Sequence, residues 1–286
     1  MKNKNLLQLS ALAILIAMAI LGSACKKTKA ATAEQELPLT TTDAAATYKL
    51  VWNDEFNGTA LDLNSWNYDI GYNKWGNNEQ ETYQAANVKV ASGSLQITAK
   101  KEKVGNTASN YTSGRIHTLN KREFLYGKIE ARMKLPQSKG LWPAFWMLGV
   151  NMRARGTTPG VGWPACGEID IMETINSETW TAGAAHWAKA DGTHTKSSNT
   201  VTGTPNDWHI YSVVWNKESI SWYVDYKLFH TFSIKDGAES TSEFHLPFNL
   251  IFNLAVGGNW PGQVIDDTKL PSTMLVDYIR VFQEVQ

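Results

Sequence analysis

Cysteine is almost absent from this chain: only Cys25 and Cys166 occur in 286 residues. With Cys25 placed in the leader described below, Cys166 is left without a partner inside the folded part. No internal disulfide can then staple the fold, so its stability must come from a hydrophobic core. Helical patterning is also missing, since no apolar period of 3.6 persists for more than about two turns. Nor is there a charge excess, with 27 basic residues against 27 acidic ones. That balance gives no reason to expect a nucleic-acid or polyanion partner, although a net charge says nothing about a local patch. The one long apolar run, Leu6 to Leu21, has sixteen residues, short for a membrane span.

That run follows Lys2 and Lys4 and ends in Gly22, Ser23 and Ala24 before Cys25, which is the layout of a secretory signal. A Cys placed directly after small residues resembles the lipobox of bacterial lipoproteins. The resemblance implies a lipoprotein signal peptide over 1–24, lipidation at Cys25, export, and a membrane partner through the lipid anchor. Residues 26–47 are mainly Lys, Ala, Thr and Glu, with one proline and no aromatic, so 25–47 is expected to be a lipidated tether. Without residues 1–24 the charges are 25 basic against 27 acidic. Residues 48–286, with no second linker and no internal repeat, are expected to form one large domain and a monomer.

What is abundant is aromatic and period-two. KIEARMKL sets Ile129, Ala131, Met133 and Leu135 on one face and Lys128, Glu130, Arg132 and Lys134 on the other. WHIYSVVW, SISWYVDY, LFHTFSI, FNLIFNLAV and MLVDYIRVF follow at short intervals, separated by turn residues. The expected fold is all-β: a jelly-roll sandwich of two curved antiparallel sheets whose concave face could hold an extended chain. Among twelve tryptophans, Trp75, Trp142, Trp163 and Trp260 sit beside Gly, Pro and Asn rather than in apolar runs. They are read as surface platforms for the C–H faces of sugars, with the amides of WGNNEQ and GGNWPG suited to hydroxyls.

The segment GEIDIMETI, residues 167–175, breaks the period. Glu168 and Asp170 share one face of a strand, but Glu173, five residues after Glu168, falls on the other. A helix does not help, because five steps of about 100° leave the two Glu roughly 140° apart. A β-bulge at Ile171 and Met172 would bring all three carboxylates to one side. Three acids on one core-like strand repel one another and resist desolvation, which drives their pKa values apart as acid and base work requires.

WPACGEIDIMET resembles the active-site strand of glycoside hydrolase family 16, in the longer form of its laminarinase-like branch. VWNDEFNG, WNYDIG, NNEQETY, SGRIHT, YGKIEARMKLP, GLWPAFWML, NLAVGGNWPG and VDYIRVFQ extend the resemblance along the whole domain. It implies a concanavalin-like jelly roll and an endo-β-1,3-glucanase that cleaves β-1,3-glucan, or mixed β-1,3/1,4-glucan, by retaining double displacement without a catalytic cofactor. Carried over, Glu168 is the nucleophile, Glu173 the general acid and base, and Asp170 the group that orients and tunes them. Asn78, Arg115, Trp142, Trp146, His186, Asn253 and Trp260 correspond to glycan-binding positions. The branch often holds a structural calcium, and Glu55, Gly93 and Asp277 stand at the matching places. Two features depart from the pattern: Asp225-Tyr226 replaces a usual Asp-Gly turn, and the loop NMRARGTTPGVGWPAC carries Arg153 and Arg155. A glucan-binding protein without activity and a transglycosylase remain as alternatives.

Overall fold

The computed structural model describes residues 47–152, 160–235 and 240–285. The expected signal, Cys25, Arg153 and Arg155 therefore lie outside the described residues, as does the tether up to residue 46. Two antiparallel sheets pack face to face. The first contains β1 (Tyr48–Asp54), β4 (Val88–Ala91), β5 (Ser94–Ala99), β9 (Gly127–Lys134), β14 (His209–Trp215), β15 (Ser219–Val224), β16 (Lys227–Ser233) and β18 (Ser272–Glu284). The second contains β2 (Asn67–Tyr68), β7 (Arg115–His117), β8 (Glu123–Phe124), β10 (Leu141–Gly149), β11 (Glu168–Glu173), β12 (Trp180–Ala188), β13 (His194–Thr202) and β17 (Phe248–Val256). A short ladder of β3 (Glu81–Tyr83) and β6 (Tyr111–Ser113) is parallel, which the sequence pattern did not suggest.

Alternation explains the core. Ile129, Ala131 and Met133 of β9, Val213 and Trp215 of β14 and Ile220 and Trp222 of β15 face Phe145 and Met147 of β10, Ile169 of β11 and Phe252 of β17. All of them are buried in one cluster, and this burial is the main stabilising term in a fold without cross-links. The opposite face of β9 is less exposed than its charges suggest. Lys128 and Glu130 are buried, because Phe282, Arg280 and Tyr278 on the neighbouring β18 cover them, with the Lys128 ammonium 4.2 Å from the Phe282 ring centroid.

The Asp225-Tyr226 turn keeps a two-residue hairpin despite lacking glycine. Both residues have positive φ, 47° and 65°, as a type I′ turn demands. Asp225 is tied to β14, accepting from the Ile210 N–H at 2.9 Å and contacting His209 Nδ1 at 2.6 Å. Those bonds offset the strain of two side chains in the left-handed region.

The bulge in β11 lies where the phase argument requires it. Phe145 pairs with Met172 and Trp146 with Asp170, so Ile171 has no partner on β10. Ile171 and Met172 are both buried in the core. Across β15, Trp222 reaches through the core and donates its indole N–H to the Asp170 carbonyl at 2.7 Å. On the other flank, Gly183 of β12 lies opposite the bulge, between the Asp170–Ala184 and Glu173–Ala182 pairs. A Cβ on Gly183 would come within 2.4 Å of Trp222 Cδ1, so only glycine admits the indole here.

Gly183→Ala should therefore destabilise the fold by about 1–3 kcal/mol through overpacking. Urea unfolding of the two proteins at one pH measures this. An unchanged midpoint would show that the indole is not held there.

Candidate active site

The bulge turns Glu168, Asp170 and Glu173 to the same outer face of the second sheet. Asp170 is buried at 3% exposure, while Glu168 and Glu173 are half-buried. Each acid has its own neighbour. Glu173 Oε1 accepts from the Trp142 indole N–H at 3.0 Å, and Glu168 accepts from Trp163. Asp170 Oδ2 lies 3.1 Å from His186 Nε2. His186 Nδ1 in turn meets His194 Nε2 at 2.9 Å, whereas Asp170 Oδ2 is buried without a directed hydrogen bond, so its contact with His186 is one of proximity.

Burial is the first cause that shifts all three carboxyls upward, with like charge from Asp170 the second for Glu168 and Glu173. Glu173 is pushed up to about 8 against the opposing Trp142 hydrogen bond and the charges of His186 and Lys196. Glu168 and Asp170 are pushed up to about 8 as well, so the three carboxyls titrate as one interacting set. It is position beside Trp142, rather than the shift, that singles out Glu173 as a proton donor to a leaving oxygen. Glu168, Asp170 and His186 also bring one ligand atom each within 4.8 Å of one another. Two of those three already form the Asp170–His186 pair.

Aromatic rings flank the acids on both sides. Beside Glu173, Trp142 meets Trp260 edge-on at 5.4 Å, and Trp260 lies 5.8 Å from Trp180. Beside Glu168, the Trp163 and His194 rings are 4.7 Å apart. A further cluster follows on the same sheet. The Arg115 guanidinium sits between the rings of Trp75 and Trp146, at 5.1 and 4.8 Å, and its Nε pairs with Asp69 at 2.9 Å. Trp146 donates to Asn253 Oδ1 at 2.7 Å. Asn78, at a loop position with φ 56°, donates to Asn259 Oδ1 at 2.9 Å and so joins WGNNEQ to GGNWPG.

The three acids and the seven expected glycan-binding residues thus belong to the second sheet or to the loops beside it. Trp75 differs from the expected open platform: it is half-buried, 5.0 Å from Tyr83, and its indole nitrogen is buried. His194, Lys196 and Trp180 were not singled out from sequence. The alternation in HTKSSNT places His194 and Lys196 on one face of β13, but with Val201 as its one apolar residue that strand has no periodic hydrophobic signal.

At the places that the resemblance gives to a structural calcium, with backbone oxygens near the first strand and an Asp on the last as donors, the side chains have protein partners. Glu55 places both carboxylate oxygens on Arg280, at 2.8 and 2.9 Å. Asp277 accepts from Arg132 at 2.8 Å, and Gly93 lies in the β4–β5 turn with φ 72°. Of these, the Asp277 carboxylate is the one expected side-chain donor, and it is already neutralised by Arg132, while the Glu55 carboxylate is not among the expected donors.

Paired carboxyls on a two-sheet sandwich, bordered by indoles, define a glycoside hydrolase type of site. Residues 76–280 match the family model of glycosyl hydrolases family 16, and the chain belongs to that family. It is 39% identical over 241 residues to the clotting factor G alpha subunit of Tachypleus tridentatus, covering 83% of this chain but only 34% of that protein. The chain thus spans about a third of that relative's length. It is 37% identical over 266 residues to the beta-glucanase of Rhodothermus marinus, covering 85% and 88% of the two chains. Among solved structures, the laminarinase catalytic domain of Thermotoga maritima superposes with a TM-score of 0.74 at 40% identity, over 84% of this chain and 99% of that one.

The raised carboxyls have a thermodynamic consequence. Glu173 titrates from an ordinary value of 4.5 when unfolded to about 8 when folded, so between these limits the folded state holds the extra proton. Stability therefore falls as pH rises through that window. Glu173→Gln removes the ionisation and should raise the urea midpoint more at pH 9 than at pH 5. An equal gain at both would contradict the shift.

Proposed function

We propose that the protein is a retaining, endo-acting glycoside hydrolase that cleaves β-1,3-glucan of the laminarin type, or mixed β-1,3/1,4-glucan, by double displacement. The observation that carries this reading is the bulged β11, which brings Glu168, Asp170 and Glu173 to one face beside Trp142. The names of the relatives point the same way. A protein that only binds glucan would have no use for three carboxyls held against their desolvation cost.

In this reading Glu168, as the carboxylate, attacks the anomeric carbon while Glu173 protonates the departing oxygen. Glu173 then removes a proton from the water that releases the sugar from Glu168. The Trp163 N–H and His186 favour the charged form of Glu168, and the Trp142 N–H holds one oxygen of Glu173 so that the other can face the substrate. Asp170, beside His186, orients the pair and its charge helps keep Glu173 protonated. Trp142 and Trp260 stack on sugar rings, and Arg115, Asn253 and Asn78 meet hydroxyls further along the chain.

Removing each glutamate should have a different effect on an aryl β-glucoside of a suitable oligosaccharide, because an activated aryl group leaves without protonation. Glu173→Ala should lose nearly all action on laminarin yet give a burst of aryl release, with azide then producing the β-azide. Glu168→Ala should show no burst, and azide attack from the opposite face should give the α-azide. The same anomer from both variants would overturn the assignment.

We also propose that the chain is exported and anchored through a lipid on Cys25, a reading supported by the basic start, apolar run and small residues before that Cys. Cys25→Ser should move the protein from the membrane to the soluble fraction. Retention in the membrane would refute the anchor.

A further inference from the structure

Behind the Arg115 end of the site lies a second pair of carboxyls, Glu79 and Glu81, for which the reaction has no use. Glu81 is fully buried and Glu79 nearly so. They belong to β3 and the loop just before it, where Lys74, Trp75 and Asn78 all have positive φ. Glu81 Oε2 accepts from the Val256 N–H of β17 at 2.7 Å. Its other oxygen, Oε1, is buried without a hydrogen-bond partner, and the Glu79 carboxyl is the hydrogen-bond neighbour of the Glu81 carboxyl. A buried acceptor that faces another carboxyl and meets no donor is in the position of a carboxylic acid O–H.

The surrounding bonds all run in one direction. Trp146 donates to Asn253 Oδ1 at 2.7 Å, and Asn253 Nδ2 donates to the Tyr83 hydroxyl at 3.1 Å. The Tyr83 hydroxyl donates to Glu79 Oε2 at 3.2 Å, and Asn77 Nδ2 approaches Glu79 Oε1 at 3.4 Å. Glu79 is thus the anionic end of a chain of donors that starts at a site tryptophan, and such chains strengthen one another in a low dielectric. The other charged groups here are Arg115, whose charge favours the Glu79 anion, and Asp69, which pairs with Arg115. Tyr111, the β6 residue opposite Glu81, turns its hydroxyl to Asp267. One cation, itself paired, cannot support two buried anions, whereas one shared proton leaves a single negative charge.

We propose that Glu79 and Glu81 share one proton, held on Glu81, and that this pair is the positioning element for the Trp75, Asn253 and Trp146 wall of the site. The inference rests on the glucanase reading for its consequence but not for the proton itself. Glu81 touches no sugar. It holds Glu79 as the acceptor for Tyr83, which holds Asn253, which fixes the Trp146 indole. Loss of the proton sets two carboxylates against each other, and the wall loosens. The effect falls on glucan binding rather than on bond cleavage.

Glu81→Gln replaces the O–H donor by an N–H donor that cannot ionise, while its carbonyl still accepts from Val256. In infrared difference spectra at pH 7, native minus Glu81→Gln, one protonated carboxyl should remain, because the contribution of Glu173 is common to both and cancels. Identical spectra would overturn the shared proton, whatever the substrate. On laminarin, native KM should rise about tenfold between pH 6 and pH 9, roughly what the loss of one hydrogen bond to a charged group costs. In Glu81→Gln it should stay nearly flat, with a native value at pH 6. Glu81→Ala should raise KM at every pH. A KM in Glu81→Gln that follows the native pH profile, or equals that of Glu81→Ala at pH 6, would overturn the positioning role. If native protein leaves laminarin intact, the glucanase reading fails and the infrared comparison still decides the proton.

Discussion

The site depends on one hydrogen bond across the core, from the Trp222 indole to the Asp170 carbonyl. A bulge takes a residue out of the ladder and leaves backbone groups without their usual partners, which in a buried strand is costly. Trp222 satisfies the carbonyl from the opposite sheet, and Gly183 leaves room for it to do so. The phase change that brings Glu173 round to Glu168 is therefore secured from the first sheet, by a residue that no substrate touches. The two layers of the sandwich are coupled here: the core of one holds the chemistry of the other.

The outer face shows a similar division of labour. Carboxyls are held where water is scarce, at a cost in stability that the apolar core offsets. Two are given a directional partner, Trp142 for Glu173 and Trp163 for Glu168, while Asp170 has His186 3.1 Å away. Two of the indoles that border the site thus also orient the acids. Arg115 is used twice as well, since its guanidinium lies between two indoles and also neutralises Asp69.

Much of this was legible in the residue order. Alternation in KIEARMKL marked the core face of β9, and the five-residue interval from Glu168 to Glu173 demanded an extra residue in the strand. Other features were hidden by the same reasoning. Lys128 and Glu130 were placed on the face away from the core, but alternation says which way a side chain points, not what a neighbouring strand lays over it. Trp75 read as an open platform because its neighbours are polar, yet its loop folds inward onto Tyr83 and Arg115. His194 and Lys196 escaped notice because an edge strand with a single apolar residue, Val201, carries no periodic signal. The arginine partners of Glu55 and Asp277 were not legible either, because they lie in distant parts of the chain or on an adjacent strand.

By itself the sequence determined the fold class, the place of the bulge and the family, because each follows from local spacing: period two, a phase break, and motifs in fixed order. Tertiary structure alone decided which groups meet across strands and sheets: Trp222 with Asp170, His186 with His194, and Glu81 with the Val256 amide behind Asn253. The reason is physical. Strand patterning fixes the face of each side chain, while register and sheet packing fix its neighbours, and it is the neighbours that set burial, charge and the position of a proton.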